Sequence, residues 1–90
     1  LASPLLSLSC GDKLRSRLAP EINAIAVEEG LGSAFLGCGD GSVVLVDLHA
    51  QAVSRTFPAH SDMVLALQPL KRSSQLVSAS EDGTVKFWGA

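Results

Sequence analysis

The sequence repeats itself with a period of 42 residues, and the two copies superpose without a gap. The positions that coincide are Asp40 and Asp82, Gly41 and Gly83, Val43 and Val85, and Ala24 and Ala66. A period of about 40–45 residues is typical of repeat proteins in which small β-sheets stack on one another. A fold that uses one β-unit twice is therefore the strongest constraint on this chain.

Short apolar runs separated by turn residues predict β-strands in both copies. The first copy predicts four strands, at Ile22 to Val27, Ser33 to Gly37, Ser42 to Asp47 and Val53 to Phe57. The second copy predicts three strands, at Val64 to Gln68, Gln75 to Ser80 and Thr84 to Trp88, with a turn from Pro69 to Ser74. The sequence reaches Ala90 before a fourth strand of the second copy.

Each copy contains a tight β-hairpin closed by an Asp-Gly pair. Asp-Gly between apolar runs is the strongest short-range signal for a two-residue hairpin turn, because the central residues of that turn need positive φ angles. On this basis Asp40, Gly41, Asp82 and Gly83 are predicted turn residues.

Four polar or partly polar side chains surround the second hairpin. His60 lies 22 positions before Asp82, Ser78 lies four positions before it, and Trp88 ends the outgoing strand. Trp only donates, ionised Asp only accepts, and Ser and neutral His do both, so these groups could satisfy one another when buried. Each orphaned partner would cost about 1–3 kcal/mol. Ser80 would face the same way as Ser78, so both serines are candidates, and we favour Ser78.

This spacing resembles the WD40 repeat. In that family a His before the first strand, a Ser or Thr on the second, an Asp in the tight turn and a Trp on the third join side chain to side chain. The resemblance implies a structural hydrogen-bond set formed by His60, Ser78, Asp82 and Trp88. It also implies that each copy is one blade of a β-propeller, built from four antiparallel strands.

The first copy keeps only the turn aspartate of this set. Leu18, Leu36 and Val46 stand where the second copy has histidine, serine and tryptophan. Asp40 is then predicted to be a plain turn residue. Apolar packing at such positions is often no less stabilising than the buried polar network that it replaces. The run from Val43 to Val46 is predicted to be a strand covered on both faces.

The predicted fold class is all-β, with two antiparallel WD40 blades of a β-propeller, one complete and one lacking its outer strand. Residues 1–19 are assigned to the end of a preceding blade or a connecting segment. Residues 20–59 are assigned to a degenerate WD40 repeat and residues 60–90 to a truncated one. Propellers use about 4–8 blades, so we expect the working protein to be larger, or a partner to complete this chain.

The faces left open by two blades should be apolar. We expect an incomplete set of neighbours around four residues, namely Val43, Leu45, Val85 and Phe87. The chain on its own should therefore be marginally stable and prone to associate. The apolar beginning, Leu1 to Ser9, has no basic leader, and we interpret it as the cut edge of a longer protein.

Composition and charge argue against several function classes. A net charge of −2 offers no basic patch for nucleic acid. No apolar run approaches the roughly 20 residues of a membrane-spanning helix. Cys10 and Cys38 lie 28 positions apart without a close-spaced ligand pair. We predict two reduced, partly buried thiols there, with neither a disulfide nor a metal site.

Catalytic interpretations are weaker than structural ones. Ser78, His60 and Asp82 have the residue types of a catalytic triad, but a nucleophilic serine needs an exposed hydroxyl and donors for an oxyanion. A serine in the middle of a strand should be buried. The glycine-rich stretch at 37–41 precedes a strand, so it lacks the helix N-terminus that a phosphate loop uses. We predict no enzyme, no cofactor, no metal and no small-molecule ligand.

An interaction module remains as the predicted function. The resemblance implies a scaffold whose partners are other proteins of a multisubunit complex, with no membrane and no direct sequence-specific nucleic acid binding. Two classes stay open: a non-catalytic scaffold of a nuclear assembly for messenger RNA processing and export, and an adaptor that recognises peptide motifs in ubiquitin ligation or signalling. The expected localisation is nuclear by resemblance and otherwise intracellular. The plausible exposed positions include His49, Arg55, Lys71 and Arg72, although a solvated role is commoner for such residues.

Overall fold

The computed structural model describes residues 3, 7, 8, 10 and 21–89 of the chain. Most of the segment predicted to precede the first copy lies outside the described residues, and so does Leu18. The described strands form two antiparallel sheets, one of four strands and one of three. The all-β prediction, with one complete and one three-stranded unit, is confirmed.

The first sheet contains strands β1 to β4 in sequence order, each antiparallel to the next. Their bounds are Ile22–Glu28, Ser33–Cys38, Val43–Asp47 and Ala52–Phe57. A single 3₁₀ turn at Glu29–Leu31 occupies the turn predicted between β1 and β2. Gly32 ends this turn with a φ angle of 65°, a conformation that glycine adopts without steric cost.

The second sheet contains β5, β6 and β7, again in sequence order. Their bounds are Val64–Leu70, Gln75–Ser80 and Val85–Trp88. The turn predicted to begin at Pro69 is wrong, because Pro69 lies within β5 opposite Leu76 of β6. Proline cannot donate a backbone hydrogen bond, and β5 tolerates it because this strand pairs on one side only within the described part of the chain.

The repeat extends to local irregularities of the backbone. The pairing of β1 with β2 shifts register between Ile22 and Ala24, and the pairing of β5 with β6 shifts between Val64 and Ala66. These two shifts lie 42 positions apart. The two sheets therefore follow one backbone template.

The two sheets pack face to face, with their most extensive contact between β1 and β5. The core between them consists of Val43, Ala59, Val64 and Leu76, against which Phe35, Phe57, Leu67 and Trp88 pack. The expectation that Val43 would lack neighbours is wrong, because the second sheet covers its face of β3 and leaves it fully buried. Leu45, two positions along the same strand, is partly buried.

The opposite face of the first sheet is also buried. Its core consists of Ala34, Leu36, Cys38, Val44 and Val46, and Cys10 and Leu8 pack against it. The prediction that the run from Val43 to Val46 is covered on both faces is therefore confirmed.

A disulfide joins Cys10 to Cys38 on this face, across a Cα–Cα distance of 5.9 Å. The prediction of two reduced thiols is therefore wrong. Spacing along the chain gave no sign of the bond, because a separation of 28 residues does not say whether two cysteines meet in the fold. They meet because Cys10 lies in the same apolar cluster as the end of β2.

The far face of the second sheet is open in the described part of the chain. Val85 is 59% exposed and Phe87 is 64% exposed, as expected from the sequence. The equivalent residues of the first sheet are Val43 and Leu45, which face the second sheet. The open face is thus the counterpart of a face that packs on a neighbouring sheet.

Candidate functional site

A continuous chain of hydrogen bonds links four side chains of the second copy. The indole Nε1–H of Trp88 donates to Ser78 Oγ at 2.8 Å. Ser78 Oγ lies 2.7 Å from His60 Nε2, and His60 Nδ1 lies 3.0 Å from Asp82 Oδ2. The structure therefore brings together all four residues that the sequence spacing singled out.

The chemistry of the four side chains shows which group donates and which accepts in each of these hydrogen bonds. Trp88 has a donor and no acceptor, so the Ser78 oxygen accepts from it. An ionised Asp82 only accepts, so His60 Nδ1 carries the proton of the neutral ring. Nε2 of His60 is then free to accept the hydroxyl proton of Ser78. Each donor in the chain faces an acceptor, and among the described residues no buried side-chain nitrogen or oxygen lacks a partner.

Asp82 also closes its own turn. Its Oδ1 accepts from the backbone N–H of Thr84 at 2.9 Å and from the Thr84 hydroxyl at 2.6 Å, and its Oδ2 accepts from the N–H of Ser61 at 3.2 Å. The Thr84 hydroxyl is the main reason that the pKa of Asp82 falls well below its ordinary value of 3.8. The N–H of Thr84, the His60 ring and the N–H of Ser61 lower that pKa further, against the opposing effect of desolvation.

Ser80, the other candidate for the hydroxyl position, has a different role. Its Oγ lies 3.0 Å from the carbonyl oxygen of Asp62 and 2.9 Å from that of Met63, and it donates to them. The same oxygen accepts from the backbone N–H of Asp82 at 3.1 Å. Ser80 thus ties the hairpin turn to the loop before β5, and Ser78 alone holds the position between the imidazole and the indole.

Trp88 connects this series of hydrogen bonds to the first sheet. Its ring meets Phe57 of β4 edge to face, with ring centroids 5.0 Å apart. The ammonium group of Lys86 lies 5.9 Å from the Trp88 ring centroid and donates to the carbonyl oxygen of Ala59 at 2.9 Å. The polar set therefore ends at the contact between the two sheets.

The hairpin turn of the first copy contacts the backbone of His60. The N–H of His60 donates to the carbonyl oxygen of Gly41 at 2.9 Å. Gly41 has a φ angle of 92°, and a Cβ atom there would lie 2.1 Å from the carbonyl oxygen of His60. Glycine is thus required at this turn both for its backbone conformation and for the close approach of the neighbouring loop.

The first sheet has the same turn without the polar chain. Asp40 Oδ1 accepts from the N–H of Ser42 at 2.9 Å and from its hydroxyl at 2.6 Å, the distances found in the turn of the second copy. Leu36 and Val46, which replace the serine and tryptophan, are buried in the apolar cluster on the far side of the first sheet. The described contacts of the Asp40 carboxylate stay within its own turn.

The polar chain has the residue order of a hydrolase triad but not its exposure. Ser78 has no solvent-exposed surface, and its oxygen already accepts from an indole N–H. A catalytic serine must reach a substrate carbonyl with its oxygen. This geometry holds the hydroxyl inside the blade.

Among the described residues, no group of three or more His, Cys, Asp or Glu side chains is arranged to hold a metal ion. No helix in the same part of the chain has the length and apolar character needed to cross a membrane.

Comparison with protein families bears on residues 51–89, which match the family described as WD domain, G-beta repeat. The match covers fewer than half of the residues of the chain. The matched residues begin within the first sheet, at β4, and continue through the whole second sheet. The match therefore extends over both sheets, with one strand in the first sheet and three strands in the second.

Similar proteins extend the comparison. THO complex subunit 6 of Arabidopsis thaliana is 36% identical over 69 residues, which make up 77% of this chain and 19% of that protein. Transducin-like enhancer protein 2 of Mus musculus is 33% identical over 70 residues, 78% of this chain and 9% of that protein. The chain thus spans about a fifth of the length of the THO relative. Among solved structures, the computationally designed Ika4 protein is 32% identical with a TM-score of 0.66, over 77% of this chain and 41% of that one.

Sequence reasoning missed two features of these two sheets. The first is Thr84, whose hydroxyl contacts both Asp82 and, at 3.1 Å, His60 Nδ1. A signal for it exists, because Ser42 follows Asp40 at the same spacing in the first copy. The second is the disulfide, for which the sequence gives no comparable signal.

Proposed function

We propose that this chain is part of a non-catalytic WD40 scaffold of a THO-type complex. The similarity to THO complex subunit 6 over 69 residues supports the assignment to that kind of complex. The partners would be other proteins of the assembly, docked on the faces and edges of the blades. Its localisation would be nuclear, and its role would lie in the processing and export of messenger RNA.

The buried polar chain is the observation that carries the non-catalytic role. Ser78, His60 and Asp82 are all committed to one another and to Trp88, and the serine has no exposed surface. A fully satisfied buried network of this kind makes a structure rigid and unique. A rigid blade that presents short loops and strand edges is suited to hold partner proteins in fixed relative positions.

The sequence at the start of β1 supports the narrower assignment. Pro20 to Ala24 reads PEINA, and we interpret this stretch as the most discriminating part of the resemblance to the THO subunit. Most of the remaining agreement, such as the acidic-Asp-Gly turn and the closing tryptophan, is shared by many WD40 repeats.

A second candidate function is an adaptor that recognises peptide motifs in ubiquitin ligation or signalling. The similarity to transducin-like enhancer protein 2 favours keeping it, because its identity of 33% over 70 residues is close to that of the THO relative. WD40 repeats in proteins of different roles can therefore resemble this chain almost equally.

Affinity purification of the intact protein, followed by mass spectrometry, tests the proposal. We expect the tagged protein to retain the other THO subunits at near-stoichiometric amounts, and the tag alone to retain none. Recovery of cullin-type ligase subunits in their place would support the adaptor. Recovery of neither group would contradict the proposed assignment.

A further inference from the structure

A cleft of about 520 Å³ opens between the two sheets. The first sheet lines the cleft with residues of β2, β3 and β4 and with Glu28 at the end of β1. The second sheet lines it with residues of β6 and β7 and with Pro69 and Leu70 at the end of β5. The cleft therefore reaches the last residues of β1 and β5, the two strands with the most extensive contact between the sheets. Pockets that bind small molecules commonly have volumes of about 300–1,000 Å³.

The walls of the cleft are mainly aromatic and aliphatic. They include Phe35, Leu45 and Phe57 from the first sheet and Leu76 and Trp88 from the second. All of these except Leu76 are only partly buried, so apolar surface faces the opening. Burying such surface against a ligand stabilises a complex by roughly 25 cal/mol for each Å² removed from water.

The charged groups of the cleft give it a positive character, although the chain as a whole carries a net charge of −2. Arg55 and Lys71 line it, together with the single carboxylate of Glu28. One oxygen of that carboxylate already accepts from the N–H of Gly30 at 3.0 Å. Within the described part of the chain, neither Arg55 nor Lys71 forms an ion pair, so both can pair with an incoming anion.

Arg55 is held in place by an aromatic ring. Its guanidinium carbon lies 5.6 Å from the centroid of Phe57, within the range of a cation–π contact. Lys71 follows the end of β5, in the turn that leads to β6. The two cations thus belong to different sheets, and the apolar walls run between those sheets.

We propose that this cleft binds a peptide segment of a partner protein that presents a large apolar side chain next to carboxylates. The apolar side chain packs beside Phe57 and Leu45, and the carboxylates pair with Arg55 and Lys71. Apolar burial supplies affinity, and the two cations select acidic over basic segments. This inference rests on the proposed role as an interaction scaffold, and it names a place where one partner docks.

Trp88 is the only tryptophan of the chain, so its fluorescence reports directly on the cleft. The probes are three tripeptides capped at both ends: Glu-Phe-Glu, Lys-Phe-Lys and Glu-Ala-Glu. We expect a saturable change in emission with Glu-Phe-Glu, and affinity at least about tenfold lower for the other two, equivalent to roughly 1.4 kcal/mol. Raising the salt concentration should weaken the binding of Glu-Phe-Glu, because exposed charge pairs are screened.

Surface variants separate the cleft from its surroundings. Arg55→Ala and Lys71→Ala should each weaken Glu-Phe-Glu binding by about two- to fivefold, the contribution of an exposed charge pair. Arg72→Ala is the matched control, since Arg72 is an exposed neighbour that does not line the cleft. It should bind Glu-Phe-Glu like the wild type. All three residues are exposed, so thermal melts of the variants should coincide with that of the wild type.

Equal affinity for Glu-Phe-Glu and Lys-Phe-Lys would overturn the charge preference. A linear response without saturation, or an Arg72→Ala variant as weak as Lys71→Ala, would overturn the site itself. These measurements use the purified chain and do not depend on THO subunits. Failure in the titration and failure in the affinity purification are therefore distinguishable.

Discussion

The two sheets share one backbone template but are held together by different chemistry. In the second sheet, Ser80 ties the hairpin to the loop before β5 through hydrogen bonds to the carbonyl oxygens of Asp62 and Met63. The equivalent residue of the first sheet, 42 positions earlier, is Cys38, which forms a disulfide with Cys10. The same position thus anchors a preceding segment in both sheets, once by hydrogen bonds and once by a covalent bond.

The contrast continues along the neighbouring strands. The second sheet buries a polar chain from Trp88 to Asp82, whereas the first sheet buries Leu36 and Val46 at the matching positions. Buried polar networks and apolar clusters of similar size can stabilise a fold to comparable degrees, provided that every polar group has a partner. The template therefore requires that these positions be filled and satisfied, and it does not require polar residues.

The glycines show which face of each sheet has a neighbour. A Cβ atom at Gly37 would lie 2.6 Å from a methyl carbon of Val64, and the equivalent residue on the open face of the second sheet is Ala79. A Cβ atom at Gly83 would meet nothing within 4 Å, unlike one at Gly41. Packing against the next sheet therefore restricts side-chain size in the first copy only, within the described residues.

The largest expected effect comes from the two turn glycines. Gly41→Ala should lower the free energy of unfolding by roughly 4 kcal/mol or more. The new methyl group would clash with the His60 backbone, and alanine would also have to adopt an unfavourable positive φ angle. Gly83→Ala has the unfavourable angle alone and should cost about 1–2 kcal/mol. Urea unfolding followed by Trp88 fluorescence measures both. Equal losses in the two variants would mean that the loop does not press on the first turn.

The disulfide should contribute the next largest effect. Cys10→Ser should lower the free energy of unfolding by roughly 3 kcal/mol, because the bond closes a loop across 28 positions and restricts the unfolded chain. Reducing the wild type with dithiothreitol should give the same loss and should leave the variant unchanged. Two free thiols in the unreduced wild type would contradict the bond.

Breaking the polar chain of the second sheet should have a smaller effect. Ser78→Ala leaves the Trp88 indole and His60 Nε2 without their partner and should cost about 2–3 kcal/mol. Trp88→Phe should cost about 1–3 kcal/mol, and the double variant should cost less than the sum, because both changes remove one shared bond. Urea unfolding of this set is followed by circular dichroism, since the variants without Trp88 lack the fluorescent probe. Ser54→Ala, at an exposed position of β4, is the control and should stay within about 0.5 kcal/mol of the wild type. Strict additivity would mean that Ser78 and Trp88 are not coupled.

Acid should lower the stability of the second sheet, because it protonates the carboxylate of Asp82. The pKa of this carboxyl is lowered in the fold, chiefly by the Thr84 hydroxyl, so its stabilising contribution is complete above about pH 4 and is lost as the pH falls further. Asp82→Asn should remove this part of the acid dependence. Asp47 of the first sheet also has a lowered pKa, because the N–H groups of Ala50 and then His49 donate to it. Asp47→Asn is thus the matched control. Its free energy of unfolding should keep the acid dependence that Asp82 contributes, whereas Asp82→Asn should lose it.

The strands and turns were largely predictable because they depend on residues close in sequence. Alternating apolar residues place the strands, and Asp-Gly pairs place both hairpins. The one clear error in a strand, Pro69 within β5, arose because proline is tolerated on a strand that pairs on one side only. That property depends on which strand neighbours which, and it is not written in the local sequence.

The spacing of His60, Ser78, Asp82 and Trp88 was also visible in the sequence, since donors and acceptors that face each other across two strands recur at fixed intervals. The contact of Gly41 with the His60 backbone, the burial of Val43 and the cleft beside Trp88 were not. Each of these depends on how the two sheets lie against each other, and chain spacing contains no measure of that distance.

The sequence by itself determined the repeating unit, because backbone sterics and hydrogen-bond chemistry act over a few residues and therefore recur wherever those residues recur. Tertiary structure alone decided how each copy is anchored. Cys10 and Cys38 bond because folding brings them onto one face, while the matching Ser80 turns to the loop carbonyls of its own sheet. Contacts of this kind join segments whose separation along the chain is unrelated to their distance in space, so that they exist only once the sheets have formed.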